Sequence, residues 1–177
     1  GASVEHPHGQ LLGISFVPRE LVDEQAGFSR FVGGCVLCAT AELERTAGTR
    51  VVVEEEDALV VAPYWSSAPF EMLVIPASHG AHLHLSSPSG LAAAGSAIAK
   101  ALRMLRDRVG NVSYNLVFHS SPYRAFGNFH WHVHIVPKLT TTAGFELGTG
   151  VAINIVSPEN AAMVLNGHDG GETAAAV

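Results

Sequence analysis

Only two cysteines occur in 177 residues, Cys35 and Cys38, so a secreted fold stapled by several disulfides is excluded. Charge is scarce as well: 15% of residues are Asp, Glu, Lys or Arg, and ten basic side chains against sixteen acidic ones leave a net charge of −6. No basic run appears, which argues against a surface that grips nucleic acid by its phosphates. Long apolar runs are missing too. Stretches such as 59–62 and 72–75 fall far short of the roughly 20 residues that span a bilayer, and no charged start followed by an apolar segment opens the chain. The expectation is a cytoplasmic protein with no membrane or nucleic-acid partner. At 47% apolar residues, the chain can still bury a core and should fold.

What the sequence has in quantity is histidine, and its ten copies are clustered. His6 and His8 open the chain, His79, His82 and His84 follow a strand-like run, and His119, His130, His132 and His134 lie in the last third; His168 stands apart. Imidazole is polar and titrates near neutrality, so each buried copy needs a hydrogen-bond partner or a metal.

The scaffold follows from apolar periodicity and turn residues. Residues 10–17 read as a strand stopped by Pro18, and 19–27 as a short acidic turn or helix carrying Asp23 and Glu24. A tight knuckle at 33–38 runs into a helix over 39–46. Three Val-rich strand candidates follow at 50–54, 58–62 and 70–75, bounded by Pro63, Pro69 and Pro76. Leu91, Ala94, Ile98, Ala101, Leu102, Leu105 and Val109 recur at steps of three and four, so 89–109 is one amphipathic helix stopped by Gly110 and Asn111. Strands over 112–118 and 130–138 and a helix over 160–165 complete the set, and 166–177 reads as a disordered tail. Strands, one long packed helix, then returning strands predict an α+β fold with a mainly antiparallel sheet. The strand at 10–17 cannot bury both its faces alone and must lie on some other sheet. A boundary is therefore expected near 28, with 1–28 trailing from one domain and 29–165 forming another.

Two thiolates spaced as Cys35-x-x-Cys38 can grip one tetrahedral ion, which then needs two further ligands. His79 and His130, at the ends of predicted strands, are the candidates for zinc. The plain alternative is a buried pair of free cysteines with unrelated histidines. In His130-Trp131-His132-Val133-His134, alternation puts the three imidazoles on one face and Trp131 and Val133 in the core behind. Such a row is a metal face, a site for nucleophilic attack on a nucleotide phosphate, or a set of exposed strand histidines without a task. In His6-Pro7-His8-Gly9-Gln10, Pro7 fixes the backbone between two imidazoles, Gly9 lets a phosphate approach, and Gln10 can donate to an oxygen without adding charge. His8 is then a candidate nucleophile, since neutral imidazole is abundant at pH 7; a turn with two surface histidines is the alternative.

Five segments taken together carry a resemblance. HPHGQ, GGCVLC, VAPYWSSAPFEMLVIPASH, HWHVHIVPKL and AGFELGTGVAIN, in this order over nearly the whole chain, resemble galactose-1-phosphate uridylyltransferases of the histidine triad (HIT) superfamily. The resemblance implies a HIT-like fold and the carboxy-terminal half of a two-domain chain, completed by an amino-terminal half or another subunit and assembled as a homodimer. It also implies that His8 takes a uridylyl group from UDP-glucose and passes it to galactose 1-phosphate. Ser3 and Gln10 would hold phosphoryl oxygens, and Phe145, Gly148, Thr149 and Gly150 would form a loop that contacts the hexose phosphate. His6 corresponds to a ligand of a first-domain zinc, and Cys35, Cys38, His79 and His130 to a second zinc site. Glu24, His119, His132 and His134 occupy positions comparable to an iron site of other members. Two other readings compete. The complete row ending at His134 fits a HIT-type nucleotide hydrolase that uses His132, and a zinc-stabilised domain without catalysis would keep the same knuckle.

Overall fold

The computed structural model describes residues 8–11, 13–123, 125 and 128–168. Five strands, β1 (Val51–Glu54), β2 (Ala58–Val61), β3 (Met72–Pro76), β4 (Tyr114–His119) and β5 (His132–Pro137), form one sheet in the order β1-β2-β3-β5-β4. Every pair is antiparallel. The long helix α3 (Pro88–Val109) crosses between β3 and β4, as its apolar period predicts. Ser87 caps its start by accepting from the Gly90 N–H at 3.1 Å, and Pro88 sits where a missing N–H costs nothing.

Helices cover both faces of the sheet, which is why β2 and β3 are apolar at every position rather than alternating. On one face Val60, Met72, Val74, Trp131, Val133 and Ile135 meet α3 and α5 (Pro158–Leu165). The buried positions of α3 are Ala94, Ala97, Ala101 and Leu105. On the other face Leu59, Val61, Leu73 and Ile75 meet Phe28 of α1 (Arg19–Arg30) and Leu37 and Ala41 of α2 (Val36–Ala47). Arg50, just before β1, ties two helices together: it forks onto Glu44 of α2 at 2.8 to 3.1 Å and reaches Glu159 of α5 at 2.7 Å. Glu44 is buried, so this pairing fixes α2, and with it Cys38, against the sheet edge.

Some elements differ from the sequence expectation. Residues 8–11 and 13–18 form no strand and are mostly exposed, with Leu11 and Phe16 facing solvent. A strand exists only by pairing, and among the described residues no neighbouring strand completes a ladder with this segment. The expected helix over 39–46 starts three residues earlier, and α1 runs on to Arg30. His130 lies just before β5 rather than within it. Of residues 145–150, expected as a loop, 145–149 belong to the short helix α4 (Gly144–Thr149), whose Glu146 carboxylate accepts from the Ala143 N–H at 2.9 Å. Asn166, expected in the tail, ends α5 and donates from Nδ2 to the Val51 carbonyl at 2.7 Å. Residues 169–177 lie outside the described residues. Among the described residues no helix is long and apolar enough to cross a membrane.

Candidate metal centres

The knuckle positions its cysteines through glycine. Gly33 and Gly34 have φ of 125° and 106°, values an L side chain rarely adopts, and the turn they make delivers Cys35 to the N-cap of α2 and Cys38 to its first turn. His79 follows β3 and His130 precedes β5. Backbone bonds hold these segments in line: Trp131 N–H donates to the Gly80 carbonyl at 2.8 Å, and Asn128 Nδ2 donates to the Gly34 carbonyl at 3.1 Å. As a result the ligand atoms of Cys35, Cys38, His79 and His130 all lie within 4.8 Å of one another. His130 Nδ1 is 3.6 Å from Cys35 Sγ and 3.5 Å from Cys38 Sγ, and His79 Nδ1 is 3.6 Å from Cys38 Sγ. A tetrahedral ion with metal–sulfur bonds of about 2.3 Å and metal–nitrogen bonds of about 2.0 Å has sulfur-to-nitrogen edges of about 3.5 Å. The four donors match that cage and can hold a metal ion.

Protonation bears on the same point. Burial, with the charges of His79 and His132, pushes His130 down to about 4, so a neutral imidazole faces the thiols at neutral pH. Burial and the neighbouring Cys35 push the Cys38 thiol up to about 11. That thiol ionises only with a cation beside it.

A second cluster forms on the face of the sheet covered by α1 and α2, and strand register builds it. His119 of β4 stands directly opposite His132 of β5, and His134, two residues on, pairs with Val117 on one side and Leu73 on the other. The three rings lie 4.9 to 5.1 Å apart between centroids. Glu24 comes down from α1 with Oε1 2.7 Å from His119 Nδ1, 3.6 Å from His132 Nε2 and 4.0 Å from His134 Nε2. Phe28, one turn further along α1, packs on Phe129 with ring centroids 4.7 Å apart and seats the helix. Burial would raise the Glu24 carboxyl, but the hydrogen bond from His119 and the closeness of the His132 ring outweigh it and hold the group at about 2.

The tautomers expose what this cluster lacks. His132 Nδ1 lies 2.8 Å from the His130 carbonyl, an acceptor only, so this nitrogen carries the proton and Nε2 presents a lone pair. His134 Nδ1 lies 3.1 Å from Glu71 Oε1 and is likewise the donor to a carboxylate. Two lone pairs and a carboxylate oxygen thus converge, and the buried atoms His134 Nε2 and Glu24 Oε2 have no hydrogen-bond partner. Converging acceptors repel unless a cation lies between them. Three imidazoles and one carboxylate suit a divalent first-row metal, and the ligand atoms again lie within 4.8 Å of one another.

Glu71 is the residue that sequence reasoning missed. It is 5% exposed, and a carboxylate in the apolar run after Pro69 is the signal that could have found it, since a buried charge requires partners. Phe70 before it adopts φ 59°, a left-handed conformation costing a bulky residue about 1–2 kcal/mol, which sends Phe70 into the α3 side of the core and Glu71 to the histidine side.

The remaining predicted residues lie elsewhere. Ser3 and His6 fall outside the described residues; His8 and Gln10 are exposed, and neither belongs to a cluster. Phe145 is exposed on α4, Thr149 Oγ1 donates to the Phe145 carbonyl at 2.7 Å, and Gly150 ends the helix at φ 71°.

With this geometry in view, the comparisons with known proteins are decisive for the family. The family profile described as galactose-1-phosphate uridyl transferase, C-terminal domain, matches residues 21–164. The chain belongs to this uridyl transferase family. It is 31% identical over 172 residues to an ADP-glucose phosphorylase of Arabidopsis thaliana, covering 93% of this chain and 48% of the relative. It is 34% identical over 151 residues to the galactose-1-phosphate uridylyltransferase of Haemophilus influenzae, covering 81% and 43%. A solved uridylyltransferase structure superposes with a TM-score of 0.83 at 25% identity, over 94% of this chain and 55% of that one. A zinc-bound histidine triad family protein from Mycobacterium smegmatis shares the fold at a TM-score of 0.56 and 21% identity, over 75% of this chain and 90% of that one. This member of the family is therefore α+β and HIT-like, and it spans about half the length of the curated relatives it matches.

Proposed function

We propose that this chain forms the carboxy-terminal half of a nucleotidyltransferase that moves a uridylyl group between UDP-glucose and galactose 1-phosphate. The observation that carries the reading is the motif His6-Pro7-His8-Gly9-Gln10 in a member of the uridyl transferase family. In the first half-reaction a ring nitrogen of His8 attacks the uridylyl phosphorus. A P–N bond forms as the P–O bond to glucose 1-phosphate breaks, and the departing phosphate oxygen takes the electron pair. In the second, a phosphate oxygen of galactose 1-phosphate attacks the same phosphorus, the P–N bond breaks, and His8 is restored. Ser3 and Gln10 hold the phosphoryl oxygens, and Phe145, Gly148, Thr149 and Gly150 contact the hexose phosphate, in this chain's own complex or in a partner subunit of a homodimer. An amino-terminal half, in the same chain or as a separate subunit, completes the nucleotide pocket. The reaction is cytoplasmic in this reading.

Cys35, Cys38, His79 and His130 hold zinc, whose four closed bonds tie the knuckle to both strand ends; such a site is structural. Glu24, His119, His132 and His134 hold a second metal, for which iron suits the nitrogen and oxygen donors; His6 belongs to a further zinc site whose other ligands are not among these residues. The hydrolase reading through His132 is disfavoured by its surroundings. The residue is 3% exposed, with one nitrogen on a backbone carbonyl and the other turned to Glu24, and a buried ring committed at both nitrogens cannot reach a phosphorus.

The test is intact mass of the chain after incubation with UDP-glucose, alone and with a co-expressed amino-terminal half. A uridylyl adduct mapping to His8, and absent from His8→Asn, is the expected result. An adduct on His132, or turnover that survives His8→Asn, would contradict the reading.

A further inference from the structure

We propose that Glu71 is the positioning residue of the Glu24 cluster: it holds His134 in the tautomer that presents Nε2 to the metal. The inference rests on the metal reading of that cluster, and it concerns a carboxylate that touches none of the other three donors in a described bond. The two oxygens of Glu71 have separate tasks. Oε2 accepts from the Ser67 N–H at 2.7 Å, the Ser67 hydroxyl at 3.0 Å and the Ala68 N–H at 3.3 Å. Oε1 is left for His134 Nδ1 at 3.1 Å. Three donors on one oxygen give the carboxylate a single orientation, and a carboxylate can only accept, so the proton on His134 must sit on Nδ1. Nε2 is then a lone pair, buried and without a hydrogen-bond partner, aimed toward Glu24 Oε1.

The loop that supplies those donors is itself braced. Asn154, beyond α4, donates from Nδ2 to the Ser66 hydroxyl at 3.0 Å and to the Ser66 carbonyl at 3.3 Å. Residues 66–71 therefore form a rigid support behind one ligand, and His132 obtains its own support from the His130 backbone carbonyl. Carboxylate-to-imidazole support of this kind orients the ring, raises its basicity and typically changes metal affinity 10- to 100-fold.

The chemistry of Gln at this position makes a sharp test. The Ser67 and Ala68 donors would claim the amide oxygen, which turns the NH2 group toward His134. A donor facing Nδ1 favours the opposite tautomer, and Nε2–H would then point at the metal position. Cobalt(II) is the probe, because the thiolate site gives a near-ultraviolet sulfur-to-metal band together with visible bands of its own, whereas a histidine and carboxylate site adds visible ligand-field absorption with no near-ultraviolet band. The chain is loaded with cobalt and challenged with graded chelator. In Glu71→Gln the visible absorption added by the second cobalt should be lost at a chelator strength 10- to 100-fold lower than in the wild type, while the thiolate band and the visible bands that accompany it stay unchanged and report an intact fold.

A second measurement needs no substitution. Nitrogen-15 NMR of the wild-type histidine rings should show His134 protonated at Nδ1. Wild-type protein with both sets of bands and a Glu71→Gln chain that holds cobalt as tightly would overturn the inference alone, as would a proton on His134 Nε2. Wild-type protein that takes up a single cobalt, with no visible absorption beyond that accompanying the thiolate band, would overturn the metal reading of the cluster, and the inference with it.

Discussion

Two residues of one segment serve two unlike centres: His130 faces a pair of thiols, and His132 faces a carboxylate and two more imidazoles. The thiol cluster is built locally. Two of its ligands are three positions apart on a glycine knuckle, and the others lie at strand ends that backbone bonds clamp together. The carboxylate cluster is built by register across β4 and β5 and closed by a helix. Their electrostatics differ in the same sense. The Cys38 thiol is pushed up to about 11 and needs a cation before it ionises, whereas Glu24 is held at about 2 and is charged beforehand. In the proposed reading the first cluster therefore couples metal binding to folding. The second sits in a fold whose other contacts are already made, and its local task is to hold α1.

Metal removal should separate the two most strongly. Structural zinc contributes on the order of 10 kcal/mol of apparent binding free energy to a small domain. Cys38→Ser, or a strong chelator, should therefore unfold the knuckle and lower the melting temperature by far more than any change at Glu24. Calorimetry of the chain with and without chelator checks this; equal melting in both would erase the contrast.

A smaller effect is expected at the carboxylate. A group held at about 2 against an ordinary 4.5 adds stability that is complete above about pH 4.5 and lost as the pH falls through 2, because the unfolded chain takes up the proton first. The shift corresponds to about 3 kcal/mol. Glu24→Gln should thus be less stable than the wild type near neutrality by about that amount, with the gap closing across this window in urea titrations run from pH 6 to 2. Parallel curves for the two proteins would show that Glu24 does not dock α1 through its charge.

The contrast between the clusters also explains what could be read from the sequence. Cysteine spacing is a local signal, and the ends of Val-rich strands mark where partners arrive, so Cys35, Cys38, His79 and His130 were legible as a set from the residues themselves. His132 and His134 were legible as one face of a strand, but Glu24 and His119 joined them only through family resemblance, because the facing of His119 and His132 depends on how β4 slides along β5. Glu71 went unnamed since its partners come from a loop and from the neighbouring strand β5. The long helix α3 was legible from seven periodic residues, whereas residues 10–17 show that alternation predicts a strand only where a neighbour exists to pair with it. Residues 145–150 were read as a loop through the family resemblance, and a single carboxylate, Glu146, bonded to the Ala143 N–H at the start of α4, marks the helix instead.

The central claim is that this chain carries two metal centres of different chemistry, one on each side of the His130 to His132 step. Native mass spectrometry with elemental analysis of the intact chain tests it most directly. The account predicts two ions per chain, one lost specifically in Cys38→Ser and the other in Glu24→Gln. A single ion per chain, or one whose loss follows both substitutions, would contradict it.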